Sequence, residues 1–395
     1  MFARRTDWKL DQNAYTRALR LRRQSGQAVL DLTTSDPTTC GFLYDDNAIR
    51  AALQSPAVLR YDPDPKGLAS ARAAVAAYYA EMRPAARVDP ENLILTTGTS
   101  EAYSFLFRLL CEPGDEIVIA QPSYPLFEFL ASIQDVRLRP FRLLYDHGWQ
   151  IDFHALQQAI SPRTRALLLV HPNNPTGHFV SAEEAGRLHE ICLARKLALV
   201  IDEVFLDYQL RTTQATRKPH GTFASNREGA LTFVLSGLSK IAALPQMKIA
   251  WIAAAGPQPL LGDACARLEI ISDTYLSLST PLQHALPPLL SQRAAMQPQL
   301  LGRIESNLAC LDQALARQDL VSRLEMEGGW YAVLRVPAVE PDEEFAIRLL
   351  DRYGVLVQPG HFYEFPDDGF LVVSLLTPKE EFEKGIRGLL ACVAE

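Results

Sequence analysis

The six cysteines of this 395-residue chain, at 40, 111, 192, 265, 310 and 392, form no CxxC pair. Scattered among mostly apolar neighbours, they read as small core residues, not as a disulfide framework, which fits a reducing cytoplasm. The eight histidines include no HExxH and no close pairing with thiols, so no metal site is expected. No apolar run approaches the roughly 18 residues that a membrane span requires. The opening residues MFARRTD lack the apolar core of a signal peptide, and a soluble cytoplasmic protein is expected. A basic excess is missing as well. Lys and Arg total 39 against 46 Asp and Glu, a formal charge of −7, which argues against a nucleic-acid surface. The local exception, arginines 17, 20, 22 and 23, reads as the solvated face of an N-terminal helix.

What is present is a large apolar content, 48% of residues, enough for a substantial core. Between about 50 and 255, strand-length apolar runs alternate with helical stretches, the pattern of an α/β domain with a mostly parallel sheet. Strands are expected at 92–96, 116–120, 166–170, 197–201, 232–235 and 249–253. Ser181 with Glu184 three residues on forms a capping box, and Asp152 is the N-cap of a helix running to Ile160. Beyond about 281 a long helical region leads into an α+β tail. The expected division is a large domain over 48–284 and a smaller one from 1–47 with 285–395.

Chemistry-bearing residues follow the strand candidates. Asp202 closes the run LALVIDE at 197–203, and Lys240 closes SGLSK at 236–240. An acid ending a buried strand and a lysine after a small-residue turn suit pyridoxal phosphate: the carboxylate keeps a pyridinium protonated, and the amine forms a Schiff base. Ligands in such sheets gather beyond the carboxyl ends of the strands, where these motifs fall. Upstream stand TGTSEA at 97–102, QPSYP at 121–125 and NNPTG at 173–177. In this ordered set the chain resembles the class I/II aminotransferases of fold type I, from about residue 31 to 378.

The resemblance implies a fold: a mostly parallel seven-stranded sheet flanked by helices, plus the smaller α+β domain. It also implies a cofactor, pyridoxal 5'-phosphate, held by Lys240 with Asp202 at the ring nitrogen. Gly98, Thr99 and Ser100 open a helix whose free N–H groups suit a phosphate. The resemblance adds Ser236 and Lys248 as phosphate partners, Tyr124 as the stacking aromatic and Asn174 as donor to the ring hydroxyl. It further places Tyr61, in YDPDPKG at 61–67, against the phosphate of a neighbouring subunit, so a homodimer is expected. The partners implied are an amino donor and a 2-oxo acid acceptor.

Three departures bear on function. Phe205 stands where relatives carry a tyrosine that bonds the ring hydroxyl. Lys248 replaces an arginine, keeping charge without the bidentate fork, and Gly237 replaces a small hydroxyl residue. Near the C-terminus, LVVS at 371–374 puts Val372 where relatives hold the substrate carboxylate with arginine. Ser35, in the loop Thr34 to Asp36, and His361 are the candidate replacements. Because fold and cofactor do not fix the reaction, a lyase, decarboxylase or oxidase on the same fold is the alternative to an aminotransferase.

Overall fold

A computed structural model describes residues 1–8, 10–211, 218–225 and 228–395. The large sheet is built from β2 (Leu93–Thr96), β3 (Glu116–Gln121), β4 (Arg137–Tyr145), β5 (Trp149–Ile151), β6 (Thr164–Val170), β7 (Ala198–Asp202), β8 (Thr232–Gly237) and β9 (Ala250–Ala255). Before it in the chain comes β1 (Leu30–Asp31). After it come β10 (Ser322–Arg323), β11 (Tyr331–Arg335), β12 (Val355–Leu356), β13 (Gln358–Pro359) and β14 (Phe370–Ser374). The large sheet runs in the order β2-β9-β8-β7-β6-β3-β4-β5. Pairs from β8 through β4 are parallel, while β9 and β5 run against their neighbours.

The apolar runs are continuous because both faces of this sheet are covered. Leu93, Val118, Leu167, Leu199 and Val234 pack into one core, and Ile94, Ile117, Leu168, Val200 and Leu235 into the core on the opposite face. Alternation along each strand therefore divides side chains between two buried layers. All six expected strands are present. The strands not anticipated are β1, β4 and the three-residue β5, so the large sheet has eight strands where seven were expected, while the tail strands fall within the α+β region expected there. In β4, Arg137, Arg139, Pro140 and Arg142 are exposed, so an edge-like polar pattern hides a parallel pairing with β3.

The helix signals also hold. The Ser181–Glu184 capping box opens the helix Ala182–Arg195, and Asp152 caps Phe153–Ala159. The tail forms a four-stranded sheet in the order β10-β11-β14-β13. The N-terminal segment joins this region through β1, parallel to β12 with Leu30 opposite Val355. No helix among the described residues is long and apolar enough to cross a membrane.

Candidate active site

Strands β2, β3, β6, β7 and β8 share one direction, and Gly98, Tyr124, Asn174, Asp202 and Lys240 all lie at or just past their carboxyl ends. Lys248 reaches the same edge from the other side, because β9 starts there, antiparallel to β8. Residues 150 positions apart in sequence are thus gathered by topology alone.

Asp202 is buried. The Tyr103 hydroxyl donates to its Oδ2 at 2.7 Å and the Val204 N–H to its Oδ1 at 3.0 Å. Burial pushes its carboxyl up to about 6, opposed by those two donors and by Lys240. Lys240 lies in the short helix Leu238–Ile241, fixed at its carbonyl by the Tyr208 hydroxyl at 2.6 Å. Its ammonium sits 4.5 Å from the centre of the Trp330 ring and 5.4 Å from that of Phe205. Burial lowers its pKa to about 8, with Asp202 and Asp36 acting against the shift. The acid and the amine thus interact within one aromatic-walled pocket.

Around this pair are polar groups with nothing to bond. The Ser236 Oγ and Asn174 Oδ1 are buried without a hydrogen-bond partner. An orphaned buried polar atom costs about 1 to 3 kcal/mol, and a ligand that satisfies it recovers that cost. By contrast, Asn173 is fully used, accepting from Thr176 and donating to the Pro122 carbonyl. The helix Thr99–Leu110 starts at Gly98 with no side-chain cap, leaving its first N–H groups to an outside acceptor. A Cβ at Gly98 would stand 3.7 Å from the Lys248 ammonium. The uncapped helix end and the cation therefore stand side by side, a combination that favours an anion.

Tyr124 is 36% exposed and stands edge-on to Phe127, which in turn packs edge-on against Tyr103. That row of rings leads from Tyr124 to Asp202. Tyr61 is 81% exposed, and no described contact joins it to Lys240 or Asp202 of its own chain. Ser35 lies beside the Tyr331 phenol, whose pKa burial raises and Ser35 lowers. His361 is exposed, packing on Phe362 and lying near Asp342, with no described contact to the pocket. Val372 is buried in β14 between Gln358 and Val333, so that position offers no charge.

Three residues were not anticipated from sequence: Tyr103, Trp330 and Tyr331. For Tyr103 a signal existed. It shares the apolar face of its helix with Ala102, Leu106 and Phe107, and a buried tyrosine needs a partner for its hydroxyl. Trp330 and Tyr331 lie some 90 residues beyond Lys240, and nothing local marks them.

The family model for aminotransferase class I and II matches residues 27–389. An alanine aminotransferase of Mycobacterium tuberculosis is 27% identical over 349 residues, covering 86% of this chain and 80% of that protein. An arginine–pyruvate transaminase of Pseudomonas aeruginosa is 26% identical over 401 residues, 98% of this chain and 94% of the relative. The structure of an alanine aminotransferase from Pyrococcus furiosus matches with a TM-score of 0.88 at 20% identity, covering 100% of both chains. The chain belongs to the class I and II aminotransferases. It is accordingly a pyridoxal-phosphate-dependent transaminase, acting on an amino acid and a 2-oxo acid. A lyase, decarboxylase or oxidase reading is not favoured.

Proposed function

We propose that Lys240 carries the cofactor and that Asp202 faces its ring nitrogen. The observation behind this is the burial of that acid and that amine together, beside the unpartnered Ser236 and Asn174. Pyridoxal phosphate, when bound, supplies an electron sink for the charge that develops at the substrate Cα. Asp202, held by Tyr103 and Val204, would keep a proton on the ring nitrogen. Ser236, Lys248 and the N–H groups of Thr99 and Ser100 would hold the phosphate, Asn174 the ring hydroxyl, and Tyr124 a ring face. Lys240, with its pKa lowered to about 8, moves the proton off and onto the substrate Cα near neutral pH.

The substrate carboxylate has no arginine at position 372. Ser35 and Tyr331, which lie beside one another, are the proposed holders. Tyr331 stands edge-on to Phe205 at 6.3 Å, and so belongs to the wall that encloses Lys240. Neutral donors grip a carboxylate more weakly than a bidentate cation does. We further propose a homodimer in which the exposed Tyr61 completes the neighbouring site, and a cytoplasmic location.

The test uses purified protein loaded with pyridoxal phosphate. Borohydride should fix the cofactor to Lys240, identified by peptide mass spectrometry. A panel of amino acids should then show which bleach the visible cofactor band. Lys240→Ala should remove both turnover and the band, and retained turnover would refute the assignment.

A further inference from the structure

His178 directly follows the NNPTG turn, is 2% exposed, and has no part in the chemistry described above. Its Nε2 lies 3.5 Å from Glu184 Oε2 and its Nδ1 3.3 Å from Glu327 Oε2. The two carboxylates come from distant places. Glu184 closes the capping box of helix Ala182–Arg195 and accepts from the Ser181 and Ile151 N–H groups. Glu327 comes from the segment just before β11 and accepts from the Phe179 N–H at 2.8 Å.

Both ends of this contact lead to the active site. On one side the His178 carbonyl accepts from Asn173 N–H at 2.9 Å, closing the turn that presents Asn174. On the other, Glu327 and Gly328 N–H both donate to the Gly177 carbonyl at 3.1 Å, and Gly329 donates to Tyr208. Trp330, whose ring covers the Lys240 ammonium, is the next residue. The approach is close enough to require glycines: a Cβ on Gly177 would stand 2.4 Å from the Gly328 carbonyl oxygen, and one on Gly328 2.5 Å from that of Tyr208.

We propose that His178 is a positioning residue: its imidazolium, wedged between Glu184 and Glu327, clamps the Asn174 turn to the segment that lays Trp330 over Lys240. The inference rests on the reading that Asn174 and Lys240 hold the cofactor. Burial alone would drive the imidazole neutral, yet the two carboxylates hold its pKa above the ordinary value. Glu184 is held down at about 2, burial being outweighed by His178 and the backbone donors. His171, on which His178 acts in turn, is kept neutral by burial and its histidine neighbours, with its pKa lowered to about 3. A raised histidine pKa means that the clamp is complete below about 6.5, the ordinary value, and is lost as pH rises through the folded-state pKa. Above it, Glu184 and Glu327 face one another without a cation between them.

Proton and cofactor are therefore linked, with a coupling of roughly ten-fold. The experiment measures the pyridoxal phosphate dissociation constant of the full-length protein between pH 6 and 9.5, in the wild type, His178→Gln, Glu327→Gln and the double variant. Wild-type affinity should fall about ten-fold as pH rises through the histidine titration. His178→Gln should lose the low-pH gain in affinity, keeping only the slope that Lys240, Asp202 and the cofactor's own groups contribute. The double variant should be no weaker than His178→Gln, because the clamp is already broken. A wild-type profile in His178→Gln, or losses that multiply in the double variant, would overturn the proposal. Should His178→Gln not fold, an undiminished slope in Glu327→Gln would overturn it instead, and a flattened one would support it. Borohydride mapping runs alongside: cofactor fixed elsewhere than Lys240 defeats the active-site reading itself, whereas cofactor at Lys240 with a pH slope that His178→Gln leaves unchanged defeats only the clamp.

Discussion

Replacing Lys240 by methionine should make the cofactor-free protein more stable, even as the proposed assignment has it abolish turnover. The lysine's pKa falls from 10.5 to about 8 on folding, and each unit corresponds to about 1.4 kcal/mol. The charged amine therefore costs at most about 3 kcal/mol below pH 8. That figure is an upper bound, because the residue keeps some exposed surface and because Asp202 loses a favourable neighbour when the amine goes. A net gain of about 1 to 2 kcal/mol at pH 7 is expected. The sign with pH follows from proton counts: between pH 8 and 10.5 the unfolded chain holds more protons at this site than the folded one, so the lysine's own contribution to wild-type stability rises across that window, while the buried thiols and phenols titrate alike in both proteins. The gap between wild type and Lys240→Met should narrow accordingly. Urea midpoints of both proteins, stripped of cofactor, at pH 7 and pH 10.5 provide the assay. A methionine variant less stable than wild type at pH 7, or a gap of equal size at both pH values, would refute the reasoning. Such a result would mean that water or a counterion reaches the ammonium and that the aromatic wall does not desolvate it.

Two further substitutions probe the walls of the pocket. Ser236→Ala removes a buried hydroxyl without a partner, so cofactor-free stability should hold or rise by about 1 kcal/mol while pyridoxal phosphate binding weakens roughly ten-fold; equilibrium dialysis and urea melts read the two separately, and unchanged affinity would remove Ser236 from the phosphate site. Phe205→Tyr supplies the hydroxyl that relatives carry there, and a hydrogen bond to the ionised ring oxygen should lower the spectroscopic pKa of the bound cofactor by about one unit. An unmoved titration would count against the alignment of that residue.

The elements most legible in the sequence were those whose neighbours on both sheet faces are apolar. Buried parallel strands such as β6 and β7 leave unbroken runs of Leu, Val and Ile, and Asp202 is conspicuous because it ends one. Strand β4 escaped notice for the opposite reason. Its arginines face solvent, and what makes it a strand is a parallel partner twenty residues earlier, not its own pattern. Tyr103 was marked by its helix face, yet which acid it served depended on a pairing across 99 residues. Trp330 and Tyr331 could not be reached by local reasoning, because they stand where the chain enters β11 of the second sheet, some 90 residues beyond Lys240.

Gly237 shows how such a gap between pattern and cause closes. The sequence marks it only as a departure, a missing hydroxyl three residues before Lys240. In the fold, a Cβ at 237 would lie 2.8 Å from both the Ala250 Cβ and the Ile249 carbonyl oxygen. Here Gly237 pairs with Ala250 and the Leu238 N–H donates to the Ile249 carbonyl at 3.0 Å, so β8 and β9 meet at the base of the turn that carries Lys240. That contact brings Lys248, eight residues on, back beside Gly98 at the start of its helix. The glycine therefore acts by backbone approach: it sets the distance between Lys240, the proposed anchor, and Lys248 beside the start of the helix. On the proposed reading, the binding that a hydroxyl at 237 would have shared falls on Ser236, the unpartnered hydroxyl one residue earlier on the same strand, and the loss expected in Ser236→Ala is accordingly about ten-fold.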